Sequence, residues 1–177
     1  TSGHHWKSIM PPLGAGKALY LNLTNAAASG QFNNTLPTAT VFTLDTDTNV
    51  NENTAAHIAY AFHSVEGYSK VGTYTGNGST NGTFVYTGFR PAWVLAKQTD
   101  FTRDWHVFDD VRDTSNITND ILLPNSTIAE YTDNANGLDF VSNGFKWRTS
   151  DAGFNGSGGT YLYLAFAENP FKYANAR

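Results

Sequence analysis

The sequence predicts an all-β protein, a β-sandwich of jelly-roll or lectin-like type, and three observations carry that reading. Charged residues make up only 15 % of the 177 residues, well below the usual quarter, so polarity rests on Asn, Thr, Ser and Gly. Aromatic residues reach 14 %, with 12 Phe, 9 Tyr and 4 Trp. Together with Thr and Val they suit pleated, half-buried surfaces, whereas Gly, Asn and Asp suit turns. Short alternating or apolar runs recur roughly every 8–12 residues, as in sandwiches, and no amphipathic helix stands out.

Taken in order, residues 1–17 (TSGHHWKSIMPPLGAGK) form a loop or edge with two prolines. ALYLNLT (18–24) alternates as a short strand. Residues 25–38 read as loop, TATVFTL (38–44) as a strand, and the DTDTNVNENT stretch after it as a turn. HIAYAFHSV (57–65) is a strong strand, apolar enough for the centre of a sheet or burial on both faces. GNGSTNG (76–82) is a hairpin-type turn. TFVYTGF (83–89), WVLAKQ (93–98) after Pro91, and DWHVFD (104–109) are strands. A polar loop follows at 109–120, then ILLP, LDFVSNG, FKWRTS and TYLYLAFAEN supply further strands. In SNGF (142–145) an Asn-Gly pair between two such runs marks a hairpin.

The chain also nearly repeats itself. VFTLDTDTNVNENTAAHIAYAF (41–62) aligns with FKWRTSDAGFNGSGGTYLYLAF (145–166), Trp6 with Trp105, and ALYLNLTNAAA with DILLPNSTIAE. The offset drifts from 99 at Trp6 and Trp105, through 103 at Asn22 and Asn125, to 104 at Phe62 and Phe166. A period of this size exceeds that of solenoid repeats and propeller blades. It implies tandem copies of a small domain: residues 1–69 as the C-terminal half of one copy and residues 70–177 as a complete copy. A partial β unit leaves a sheet edge and an apolar face open, so self-association is expected, as a trimeric fibre or a helical or capsid lattice.

Composition excludes several classes. The net charge of −4 gives no basic footprint for nucleic acid. No apolar run approaches the ~18 residues of a membrane-spanning helix, so no membrane insertion is expected. There is no Cys, hence no disulfide or thiolate metal site. No signal-peptide pattern is visible, and Thr1 reads as a processing or sequence boundary rather than a gene start.

The chemical motifs are weak. LGAGK (13–17) lacks the remaining residues of a phosphate-binding loop. DTDTN (45–49) spaces oxygen ligands as calcium loops do, but Val50 and Ala56 occupy the positions that need Gly and Glu. Asp104, Asp109, Asp110 and Asp113, with Asp100, crowd one stretch and are candidate ligands of a structural calcium ion. No other cofactor is expected. His4, His5, His57, His63 and His106 show no metal-site or triad spacing. Glu66 and Glu168 sit at corresponding places in the two copies, which makes them structural rather than a hydrolytic pair. Tyr74, Trp93 and Trp147 are candidate stacking platforms for a glycan, against the alternative that they build the core. N-x-[ST] triplets begin at Asn22, Asn33, Asn77, Asn81, Asn116, Asn125 and Asn155, and matter only in a glycosylating secretory pathway.

The stretches VEGYSKVGTYTGNGSTNGTFVYTGFRPAWVLAK and DFVSNGFKWRTSDAGFNGSGGTYLYLAFAENPFKYANAR resemble a repeat found near the ends of large structural proteins of marine tailed bacteriophages. That repeat is itself a domain of unknown function, often downstream of laminin-G-like or concanavalin-like lectin modules. The match is best over 58–177, and the final residues then read as a natural C-terminus. The resemblance implies a virion or extracellular fibre component and brings no catalytic residues. The sequence thus leads to a non-enzymatic structural or adhesive component of a phage virion or extracellular fibre. Alternatives are a carbohydrate-binding module for host surface glycans and a capsid decoration or filament subunit. A glycan-degrading enzyme would need a carboxylate pair that no motif supplies.

Overall fold

Eleven short strands run through residues 3–169, the part of the chain that the computed structural model describes. They are β1 (Lys7–Ile9), β2 (Ala18–Tyr20), β3 (Ser69–Thr75), β4 (Phe84–Tyr86), β5 (Pro91–Gln98) and β6 (His106–Asp109). After these come β7 (Asp120–Ile121), β8 (Tyr131–Thr132), β9 (Leu138–Val141), β10 (Gly144–Trp147) and β11 (Thr160–Ala167). The expected C-terminal residues 170–177 lie outside the described residues.

The protein is an all-β sandwich. One antiparallel sheet has the order β3-β11-β5-β6 and faces a smaller antiparallel sheet, β4-β10-β9. The hairpins β1-β2 and β7-β8 complete the pairing. Strand β11 is central, flanked by β3 and β5 along its length. Because successive side chains point to opposite faces, its residues divide cleanly. Tyr161, Tyr163 and Ala165 enter the core between the two sheets, while Leu162, Leu164 and Phe166 belong to a second cluster on the outer face. The run TYLYLAFA is therefore apolar throughout because both of its faces are covered.

The inner core joins Tyr74, Val94, Phe108 and Tyr161 of the larger sheet to Val85, Phe140, Phe145 and Trp147 of the smaller. Its aromatic rings meet edge-on or stacked: Tyr74 lies parallel to Tyr161 at 4.8 Å, and Phe108 meets Trp147 edge-on at 5.6 Å. The outer cluster is closed by the N-terminal arm. Met10, Leu13, Leu19, Leu21 and Ala27 cover Leu95, Trp105, Val107 and Leu162. The arm is fastened by polar contacts too. The buried Lys97 ammonium donates to the carbonyls of Thr24 (3.0 Å) and Arg103 (2.6 Å), and Trp105 Nε1 donates to the Tyr20 carbonyl at 2.9 Å.

Three expectations need correction. Residues 57–65 and 38–44 are not strands: apart from an isolated bridge between Val65 and Ser69 they run without sheet pairing, and they are largely exposed. A strand pattern forms a strand only where partners supply the hydrogen bonds. Residues 76–82 do not close a hairpin, because β3 and β4 lie in different sheets and the segment crosses between them. The hairpin expected at 142–145 does form, but Ser142 and Asn143 make its turn, since Val141 pairs with Gly144. Gly144 belongs to β10, where a Cβ would collide with the Val85 carbonyl oxygen. Gly144→Ala is expected to cost roughly 1–3 kcal/mol, as overpacking does, seen as a lower urea midpoint with an unchanged slope.

Candidate functional site

The residues aligned between the two parts of the chain make the same local contacts. The Trp105 N–H donates to Asn125 Oδ1 (2.7 Å), and the Trp6 N–H donates to Asn22 Oδ1 (3.0 Å). Asn125 Nδ2 then reaches Asp104 Oδ1 at 2.6 Å, and Asn22 Nδ2 reaches His5 Nδ1 at 3.1 Å. Ser8 pairs with Leu19 as Val107 bridges Leu122. An asparagine side chain from beyond the partner segment thus fastens the main-chain N–H of each tryptophan.

The turn ahead of each strong apolar run matches as closely. Asp47 Oδ1 accepts the Asn49 N–H at 2.8 Å, and Asp151 Oδ1 accepts the Gly153 N–H at 2.6 Å. The Asn51 N–H donates to the Asp47 carbonyl at 2.9 Å, and the Asn155 N–H to the Asp151 carbonyl at 2.8 Å. Asn51 Nδ2 donates to the Asp45 carbonyl at 2.9 Å, and Asn155 Nδ2 to the Thr149 carbonyl at 2.8 Å. Both turns are one-turn helical caps of the kind that Asp and Asn side chains build.

What differs is the surroundings. Asn155 is fully buried and clamps the 77–83 crossover: its Nδ2 donates to Asn77 Oδ1 and the Ser79 carbonyl, and its Oδ1 accepts the N–H groups of Asn77 and Thr83. Asn51 is exposed, and its side chain bonds only Asp45 among the described residues. Likewise Ile58, Tyr60 and Phe62 are 63 %, 66 % and 61 % exposed, whereas the aligned Leu162 and Leu164 are 1 % and 9 % exposed. No main-chain N–H of residues 57–63 makes a backbone hydrogen bond. Val41, Phe42 and Leu44 add to this open apolar surface. Tyr60 stacks on Trp6 at 6.1 Å and Phe62 meets Phe166 at 6.0 Å, so the run lies against the arm and the sheet rather than free.

A buried ion pair shapes this surface. The Lys7 ammonium, its side chain inaccessible, bonds Asp47 at 2.8 Å and Asp45 at 3.4 Å and lies 5.1 Å from the Phe32 ring centre. The bond from Lys7 holds the Asp47 carboxyl down at about 2. The 45–51 turn is thereby fixed to the arm.

The glycan platforms expected at Tyr74 and Trp147 are not at the surface: both rings are in the inner core and offer no face to a ligand. Trp93 is half-buried in the outer cluster against Phe166 at 5.7 Å. In alternating strands an inward aromatic and an outward one look alike, and here the inward reading wins. The expected calcium ligands do not converge. Asp109 binds Arg112 Nε at 2.6 Å, Asp110 binds Arg90 at 2.8 Å, Asp113 accepts the N–H groups of Asn119 and Asp120, and Asp104 serves Asn125. Among the described residues no group of three or more His, Asp or Glu side chains is placed to hold a metal ion. Burial raises the Asp109 carboxyl, and the Arg112 N–H and guanidinium more than offset it, leaving it lowered. In the sequence Asn155 stands out only as the start of an N-x-[ST] triplet and Asn51 not at all, although both are among the few identical positions of the alignment.

The fold places the chain among all-β sandwich proteins built from two antiparallel sheets. A family model matches residues 1–170, and the chain belongs to that family, the domain of unknown function DUF7483. No curated protein and no solved structure matches it.

Two outcomes follow. Asn155→Ala is expected to cost roughly 3 kcal/mol, because it leaves the part-buried N–H groups of Asn77 and Thr83 without an acceptor and the buried Thr149 carbonyl without its donor, while Asn51→Ala costs under about 1 kcal/mol; paired chemical denaturation checks the contrast. The second concerns His106, buried against Phe154 at 4.3 Å with its Nδ1 unpartnered. Burial lowers it from 6.5 to about 4; Asp104 and Asp151 pull it up, Lys97 and Arg103 push it down. The folded state keeps it neutral while the unfolded chain takes up a proton. Its contribution is thus present above pH 6.5 and lost as pH falls toward 4, by at most roughly 3 kcal/mol. A His106→Leu variant should lose less stability than the parent between pH 6.5 and 4.

Proposed function

We infer that this chain is a non-enzymatic structural module of an extended, repeat-built assembly, of the kind that forms a phage virion part or an extracellular fibre. One observation carries the reading: an apolar strand-like run, Ile58, Tyr60 and Phe62, stands exposed and unpaired beside a turn that copies the one preceding β11. Exposed apolar surface of this kind marks association, and a run with free N–H and C=O groups is a template for strand pairing. The aligned clamps at Asn22 and Asn125, and at Asn51 and Asn155, support tandem units: residues 1–69 as the latter half of one and 70–177 as a whole one. The resemblance to repeats of phage structural proteins supports the virion setting.

The module works by contact rather than chemistry. Its loops are closed by side-chain bonds to the main chain, and its carboxylates are spent on arginines and turn N–H groups. Host-glycan recognition through Tyr74 and Trp147 has lost its basis, since both rings are buried. The chain is expected to self-associate at micromolar concentration through the 41–62 surface, and sedimentation velocity reads this directly. Phe62→Ser combined with Tyr60→Ser should return it to the monomer. A parent chain that sediments as a compact monomer at 100 micromolar, about the range where weak apolar contacts register, would overturn the assembly reading.

A further inference from the structure

We propose that residues 41–62 are a half-site for the first half of another repeat, joined in the same polypeptide: a segment patterned like residues 69–98, with one strand on each side of 57–63 and its polar crossover seated on Asn51. This rests on the modular reading and names the partner of that surface.

The chain itself shows what covers the equivalent surface. Strands β3 and β5 flank β11 on both sides, in the registers Leu162 with Thr73 and Lys97, and Leu164 with Val71 and Leu95. They occupy the main-chain groups that residues 57–62 leave unpaired; at His63 the carbonyl already accepts from Ser69 Oγ at 2.8 Å. The crossover after β3 fills the side-chain valences of Asn155 through Asn77, Ser79 and Thr83. Asn51 holds the same turn by the same two bonds and offers the same amide outward. The Lys7 pair with Asp45 and Asp47 keeps that amide in place without the missing strands. Tyr60 rests on Trp6 at the position that Leu164 takes in the cluster around Trp105. One face of the run is thus in partial contact with the arm and the sheet, and its two edges remain open over 57–62. A second copy of this chain is a poorer fit, because its own β3 and β5 are already bonded to its own β11.

Alignment of Trp6 with Trp105 sets Thr1 opposite Asp100. Residues 66–99 duplicated directly ahead of Thr1 therefore build the proposed segment in register. In this extended chain, amide hydrogen exchange at 57–63 should slow by roughly a hundredfold or more, as expected for amides entering a central strand. Self-association through the same surface should fall away. Adding Asn51→Ala to the extended chain should weaken the protection, while the same change in the parent leaves exchange at 57–63 as it was. If the extended chain is insoluble, a synthetic 66–99 peptide titrated onto the parent gives the same readout. Unchanged exchange at 57–63 with the added segment in either format overturns the proposal. So does protection of 57–63 already present in the self-associated parent and undisplaced by the segment, which would make a second copy the occupant. The assembly reading fails separately, on a monomeric parent.

Discussion

Everything in this molecule depends on the burial of β11 on both faces at once. Tyr161, Tyr163 and Ala165 hold the smaller sheet, and Leu162, Leu164 and Phe166 hold the N-terminal arm. A sheet with one bare face would expose Leu95, Trp105 and Val107, so the arm is part of the fold rather than an appendage. This constraint explains why polar anchors appear where the arm meets the sheet. A lysine ammonium inside a protein is costly unless its donors are met. Lys97 meets them with two carbonyls and the Trp105 ring, one of the carbonyls being on the arm itself. Burial still lowers it, from 10.5 to about 8, with Asp104 drawing it partly back.

The same constraint gives residues 57–63 their character. Their sequence is written for a strand with neighbours on both edges and cover on both faces. Of these, only partial cover is present, from Trp6 and Phe166. The aligned segments therefore show one sequence pattern in two environments, paired and unpaired. The turns that precede them keep their geometry in both, because Asp and Asn side chains close them from within. Local hydrogen bonding survives the loss of neighbours; strand pairing does not.

How much of this was legible follows from the same division. The strands at 93–98 and 104–109 and the run at 160–167 read correctly, since alternation and apolar length are properties of the segment itself. The all-β sandwich followed from them. The run at 57–65 misled because its pattern describes a requirement, not its fulfilment. The 76–82 segment misled because Gly and Asn report a turn without reporting which sheet the chain enters next. Tyr74 and Trp147 misled because an aromatic in a strand carries no mark of the face it occupies. Asn51 and Asn155 carried a mark that was overlooked: identity across a stretch where nearly everything else had diverged.

Many of the clamps are neutral. Asn22, Asn125 and Asn155 bind main-chain groups by amide, and Thr149, Thr87 and Thr38 do so by hydroxyl. Dissolved ions screen charges and leave bonds between uncharged groups nearly untouched. With no cysteine to reduce, the loops closed by these amides and hydroxyls owe their order to contacts that neither brine nor a reducing medium dissolves, while the ion pairs of Lys7, Arg90 and Arg112 add the part that salt can weaken. Where those uncharged bonds set the surface, its shape travels unchanged between a dilute and a salty world.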